Sequence, residues 1–161
     1  MKILFATILM TFLMTGQAMA EEGVAGISAT LEKVKDDSII PETEKTVLYR
    51  IVEAETTGEG EEAKKNVAST ILNRVHNNSF PNTISEVVFQ NYQFSPVSDK
   101  RYWSVEVTEE TMQAVNDVIA NGSTTEALYF CNLNNVSGKM KRWFKKLDYL
   151  FTDEANHSFY K

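Results

Sequence analysis

Cysteine and histidine are scarce in this chain: one cysteine, Cys131, and two histidines, His76 and His157, in 161 residues. A lone thiol cannot close an internal disulfide. Its apolar surroundings, Ala127-Leu128-Tyr129-Phe130, make it a buried structural thiol rather than a nucleophile. So few soft ligands, with no H-E-x-x-H or C-x-x-C spacing, argue against zinc chemistry. A two-histidine-plus-carboxylate arrangement stays formally open, but the expectation is no metal and no cofactor. Positive charge is short as well, 16 Lys and Arg against 22 Asp and Glu. A net charge of −6 is wrong for a general binder of nucleic acid. Attraction alone will not bring such a chain to any polyanion, so a grip on one must come from a groove. Internal repeats and low-complexity tracts are absent. No segment after residue 20 is apolar enough to span a bilayer.

What is present begins with an export signal. Lys2 supplies the positive start, Ile3 to Met14 a short apolar run, and Ala18-Met19-Ala20 a small-x-small cleavage site. The expected mature chain runs from Glu21 to Lys161, secreted or held in the cell envelope with no stable membrane anchor. The competing reading is an uncleaved anchor. Residues 21–42 read as a leader, with a short helix near Leu31 to Val34, and residues 43–161 as one domain.

Pro41-Glu42-Thr43 signals the first core helix, expected over Thr43 to Thr57 and stopped by Gly58. A second helix is expected from Glu61 to His76, with Ala63, Val67, Ala68, Ile71, Leu72 and Val75 on its apolar face. Thr83 and Glu86 fit a capping box opening a short helix with Val87 and Val88. Asn91 to Val105 has no clear period and reads as a long aromatic loop carrying Tyr92, Phe94, Tyr102 and Trp103. Thr108 caps a further helix whose buried face is Met112, Val115, Val118 and Ile119, ended by Asn121-Gly122. Ala127 to Cys131 reads as a strand, with Trp143-Phe144 and Ser158 to Tyr160 as further candidates. The fold class is α+β, mostly helical, with a small antiparallel sheet near the C-terminus.

One carboxylate stands out. On the first helix Val47, Leu48, Ile51 and Val52 form an apolar stripe, and Glu55 falls on it, four after Ile51 and three after Val52. Glu44 and Glu53 point elsewhere. A carboxyl on the buried edge of a helix loses solvation, its pKa rises, and it becomes a candidate general acid near neutral pH. The plainer alternative is a solvated residue at a frayed helix end.

The stretch Glu55-Thr56-Thr57-Gly58-Glu59, followed by Ile71-Leu72-Asn73-Arg74-Val75, resembles the cell-wall hydrolases of the spore-cortex-lytic type (the SleB/CwlJ type). Phe80-Pro81-Asn82-Thr83-Ile84, then Gln90 with Phe94-Ser95, then Ala127-Leu128-Tyr129-Phe130 with Asn132, and His157-Ser158-Phe159-Tyr160 continue the likeness in order. It covers about Leu48 to Lys161. The resemblance implies a lysozyme-like α+β domain that cuts the glycan strands of peptidoglycan, with Glu55 at the catalytic position. Glu59 also matches a family position and is the competitor for the catalytic role; it is read as a helix-start or supporting acid, because past the helix end it cannot share the buried stripe, with catalysis at Glu59 the lesser alternative. Tyr92, Phe94, Ser95, Tyr129, Asn132 and His157 are the substrate-lining candidates. Phe94 reads equally well as core, and His157 as a satisfied structural group. Thr56 stands where the family often has alanine, and Asn91-Tyr92-Gln93 replaces a Pro-Gly character, which leaves cortex against vegetative wall open.

No second catalytic acid stands out. Asp99 and Glu106 border the aromatic loop and read as solvated. With one carboxylate the chemistry leans to a lytic transglycosylase over hydrolysis by water. The alternatives are an amidase cutting between muramic acid and the stem peptide, and a non-catalytic wall-binding domain. The basic run Lys139, Lys141, Arg142, Lys145 and Lys146, with Trp143 and Phe144 between, reads as a solvated hairpin balancing an acidic chain. Contact with anionic stems or wall polymers is its functional alternative.

Overall fold

The computed structural model describes residues 40–161. The export signal and the leader through residue 39, with its expected short helix, lie outside the described residues. Helix α1 (Glu42–Glu55) starts behind Pro41, with Glu42 and Glu44 in its first turn. It stops two residues before Thr57 for a local reason. The Thr56 and Thr57 hydroxyls donate back to the Val52 and Glu53 carbonyls at 2.7 Å, closing the last turn. Gly58 then turns the chain at φ +79°.

Helix α2 (Glu61–His76) has the expected bounds but is buried on nearly every side. Val67, Ala68, Ile71 and Leu72 join the core, and the polar face is buried because it holds the segment leading into the sheet. Ser69 and Thr124 share a hydroxyl bond at 3.0 Å. Asn73 Nδ2 donates to the Thr125 and Ala127 carbonyls at 2.7 and 3.0 Å. Arg74 Nε donates to the Leu128 carbonyl at 2.7 Å. These bonds suspend the sheet from α2.

Helix α3 (Ile84–Val88) is capped by Thr83, whose hydroxyl accepts from the Glu86 amide at 3.2 Å. The expected loop from Asn91 to Val105 instead holds two single-turn helices, α4 (Ser95–Ser98) and α5 (Arg101–Ser104), joined through Lys100 at φ +75°. Four-residue turns are too short to show a period in sequence. Helix α6 (Glu109–Asn121) has the expected Thr108 cap and a Gly122 end. Its buried face is Thr111, Ala114, Val115 and Val118, so Met112 is misplaced: it is 37% exposed. The Thr111 hydroxyl turns inward to bond Glu53 at 2.5 Å, and that rotates the face by one position.

Strands β1 (Tyr129–Cys131), β2 (Tyr149–Thr152) and β3 (Ser158–Tyr160) form an antiparallel sheet ordered β1-β3-β2. Phe130 pairs with Phe159 in register, and Phe151 pairs with Phe159 across a bulge. Trp143-Phe144 is not a strand. It belongs to helix α7 (Gly138–Phe144), capped by Ser137. Met140, Trp143 and Phe144 are spaced i, i+3, i+4, a helical period that outweighs the aromatic preference for strands. The result is the expected class, α+β and mostly helical with a small sheet near the C-terminus. The core lies between α1, α2, α3 and α6, around Leu48, Ile51, Val52, Val67, Ile71, Val87, Val115 and Val118. Phe159 is the fully buried centre of the sheet, flanked by Phe130 and Phe151 rings at 5.7 and 4.8 Å.

Candidate active site

A cleft of about 1040 Å³ opens where the end of α1, the segment 90–101, β1 and α7 meet. Glu55, Glu59, Tyr92, Phe94, Ser95, Tyr129, Asn132 and His157 all line it. Residues 102 positions apart in sequence are thus brought to one surface. Tyr92 is a rim residue, 97% exposed and at φ +63°. Phe94 answers both of its readings, since it is buried in the core and also shows an edge to the cleft.

The end of α1 carries two carboxyls with opposite character. Glu55 faces the cleft, and burial pushes its carboxyl up to about 7. The Arg101 and Arg74 charges oppose that rise, while Asp99 and Glu59 add to it. Glu53 has the smaller solvent exposure, 3%, though Glu55 is set deeper among protein atoms. Burial acts on it in the same upward direction, but its carboxyl ends below the usual carboxylate range. The Thr108 amide, the Thr108 hydroxyl and the Thr111 hydroxyl all donate to Glu53 Oε2, at 3.1, 2.6 and 2.5 Å. The two carboxyls thus differ twice over: desolvation dominates at Glu55, which lies deeper among protein atoms, while at Glu53 the donors together outweigh it. Glu55 has no such donors among the described residues.

Of the two readings of Glu59, the helix-start one does not hold. Glu59 precedes α2 rather than starting it, and it points into the cleft, half-buried. His157 Nε2 stands 3.7 Å from Glu59 Oε1, and His157 Nδ1 stands 3.6 Å from Asp153 Oδ2. Asp153 is fixed in turn by the His157 amide, which donates to Oδ1 at 2.8 Å. Glu59 Oε2, His157 Nδ1 and Asp153 Oδ2 are buried without a hydrogen-bond partner among the described residues. His157 thus stands between two carboxyls, one of them in the cleft lining, rather than alone near the chain end. The Glu59 carboxyl is raised, chiefly by burial, with Asp153 adding and His157 and Lys64 opposing. Lys64, 2% exposed, donates to the Thr56 and Glu59 carbonyls at 3.2 and 2.8 Å and so pins the turn that carries Glu59.

Two arginines in the cleft were not among the expected site residues. Arg74 lies beneath the Phe80, Phe94 and Tyr129 rings, at 5.3, 5.3 and 5.6 Å from their centroids. Burial pulls its guanidinium down to about 10, so it stays charged at neutral pH. It lies on the same helical stripe as Val67 and Ile71, the signal that picked out Glu55. Arg101 closes the end of α1 by donating Nη1 to the Ala54 carbonyl at 2.7 Å. It also ties down Asp99, Nε to Oδ2 at 3.0 Å, so Asp99 is an ion-paired surface acid. Glu106 is exposed and outside the cleft lining. Cys131 is half-buried at the cleft edge rather than fully buried, and burial pushes its thiol up to about 11. A thiol held protonated is a poor nucleophile.

Together these residues define an open groove lined by a protonatable carboxyl, aromatic side chains and two arginines. Residues 58–160, more than half of the chain, match the family described as Cell Wall Hydrolase. The chain belongs to the Cell Wall Hydrolase family. The matched span opens three residues past Glu55 and takes in Glu59, Arg74 and His157. The spore cortex-lytic enzyme of Oceanobacillus iheyensis is 39% identical over 88 residues, 53% of this chain and 31% of that one. Its counterpart in Bacillus subtilis is 35% identical over 88 residues, 53% of this chain and 28% of its own length. The chain thus spans about a third of the length of these relatives. Among solved structures, the catalytic domain of the germination-specific lytic transglycosylase SleB from Bacillus anthracis superposes with a TM-score of 0.68 at 30% identity. That likeness covers 76% of this chain and 98% of that domain. The SleB catalytic domain of Bacillus cereus gives a TM-score of 0.66 at 30% identity, over 76% and 92%.

Proposed function

We propose that this protein cleaves the glycan strand of peptidoglycan as a lytic transglycosylase, with Glu55 as its acid and then its base. The observation that carries the reading is a cleft-facing Glu55 whose carboxyl, raised to about 7, holds a proton near neutral pH. The family and the names of its relatives support the substrate class. In the first step the Glu55 proton passes to the glycosidic oxygen as the bond to C1 of the muramic sugar breaks. The carboxylate then takes the proton of that sugar's own 6-hydroxyl while O6 bonds to C1. A 1,6-anhydro ring closes, Glu55 is protonated again, and no water is consumed. Arg74 and Arg101 stabilise the transient carboxylate, as their charges already oppose its protonation. Tyr92, Phe94, Ser95, Tyr129 and Asn132 line the sugar path, and Glu59, held against His157, supports the site from behind.

Glu59 itself favours one competing chemistry. It is a second carboxyl in the same cleft, and hydrolysis would need such a base to activate water. The products separate the two. Peptidoglycan digested by the protein and by its Glu55→Gln variant is analysed by mass spectrometry. Anhydro-muramic ends from wild type alone support the proposal. Reducing ends move the assignment to hydrolysis, and freed peptides with intact glycan would mean an amidase. Residues 43–161 form the catalytic domain in this reading, exported by the segment 1–20. N-terminal sequencing of the secreted protein, expected to begin at Glu21, checks the export.

A further inference from the structure

The basic run between Lys139 and Lys146 is not a hairpin. It is helix α7 and the turn after it, and the helix forms a wall of the cleft. Met140, Trp143 and Phe144 line the cleft, with the Trp143 ring 5.2 Å from Tyr129 and nearly perpendicular to it. Lys139, Lys141, Arg142, Lys145 and Lys146 are all exposed. None of the five has an ion pair among the described residues, although acids outnumber bases in the chain. The eight residues 139–146 hold five of the 16 basic residues and no acid. The remaining 153 residues carry 11 bases against 22 acids. A favourable helix C-terminus accounts for Lys141, Arg142 and the capping Lys145 with Lys146 after it. It does not account for Lys139 at the other end, nor for half-exposed Met140 and Trp143 beside the charges. An unneutralised cationic face continuous with an apolar edge of the cleft fits a ligand carrying carboxylates next to sugar.

We infer that α7 recognises the anionic peptide stems of the glycan strand, and so makes the protein prefer stem-bearing peptidoglycan over bare glycan. The inference rests on the peptidoglycan reading above and adds which part of the polymer is read. Muramic residues bear the stems, so a strand seated in the cleft projects their carboxylates past its rim. None of the five cations lines the cleft itself; Lys139, one helical turn before the cleft-lining Trp143, stands beside the lining, and the others continue outward from it.

The test uses the full chain and a triple variant, Lys139→Gln, Arg142→Gln and Lys146→Gln, on two substrates. One is intact peptidoglycan and the other is its glycan stripped of stems by an amidase; both are coupled to beads, because stripping removes the cross-links that keep the wall insoluble. Release of soluble fragments is followed at 0.05 and 0.5 M salt, and sedimentation with each insoluble substrate is measured using Glu55→Gln versions of both proteins. The expected result is cleavage and binding roughly tenfold better on intact material. That advantage shrinks in high salt and in the triple variant, while the triple variant matches wild type on stripped glycan. Equal wild-type behaviour on the two substrates overturns the inference, as does a variant weakened equally on both. Preferential binding without any cleavage leaves the inference standing and removes the catalytic reading. Cleavage without preference does the reverse.

Discussion

Replacing Glu55 with glutamine should stabilise the protein at alkaline pH and leave its stability nearly unchanged in acid. The Glu55 carboxyl lies at about 7 in the fold against an ordinary value of 4.5. A group raised on folding contributes its full stability below the unfolded pKa and loses it as pH climbs through the folded value. Between pH 4.5 and 7 the native state holds a proton that the unfolded chain has released, so unfolding becomes easier with every step of pH. One pKa unit corresponds to about 1.4 kcal/mol, so the shift amounts to about 3 kcal/mol at pH 8. Glutamine keeps the shape and never ionises, so the variant escapes that loss. Urea unfolding of both proteins at pH 4 and pH 8 measures it. With a slope near 2 kcal/mol per molar, the variant's midpoint should lie about 1.5 M above wild type at pH 8 and close to it at pH 4. A difference between the two proteins that does not change with pH would refute the raised carboxyl, and with it the argument that Glu55 is a poised acid.

Other consequences follow from the same geometry. Glycan cleavage should decline as pH rises through about 7, since the acid must carry its proton; a rate climbing through that range would remove Glu55 from the role. Glu59→Gln takes a like charge from beside Glu55, so the alkaline limb of the pH–rate profile should move to lower pH, and an unmoved limb would show the two are uncoupled. Lys64→Met leaves the Glu59 carbonyl without its Lys64 donor and the Thr56 carbonyl with the Glu59 amide alone; a loss of about 2 kcal/mol is expected by urea unfolding. Arg74→Lys gives up the planar fork that binds Leu128 and lies against three rings, and activity should fall roughly tenfold to hundredfold with the fold retained by circular dichroism.

The elements that were legible in sequence are those whose burial is dictated by their own period. Leu48, Ile51 and Val52 declare the inner face of α1, and Glu55 is read from the same stripe. Helix α2 could be bounded to the residue because Gly60 and Asn77 flank an unbroken period. What stayed hidden depends on partners far along the chain. His157 lies 98 positions from Glu59, and only the β2–β3 turn brings it there. Arg74 has the stripe signal, yet its meaning comes from the Leu128 carbonyl, 54 residues on. Met112 and Trp143 failed for a related reason. Each was placed by a local preference, and each is overridden by one tertiary bond or by a competing period.

The last two turns of α1 show how one stretch of sequence can hold two opposite acids. Glu53 and Glu55 are two residues apart, so their side chains leave the helix about 200° from one another. One turns to α6 and meets three donors; the other turns to the cleft and meets none that bond it. Their pH effects are opposed. Glu53, lowered in the fold, stabilises it above the unfolded value and loses that contribution as pH falls through its folded one. Glu55 works against the fold as pH rises towards 7. The two slopes bracket a weakly acidic stability maximum at this helix end. Moving the maximum upward requires only removing the Glu55 charge, the group on which the proposed chemistry depends. Stability of the α1 end and its proposed catalytic use therefore pull on the same carboxyl in opposite directions.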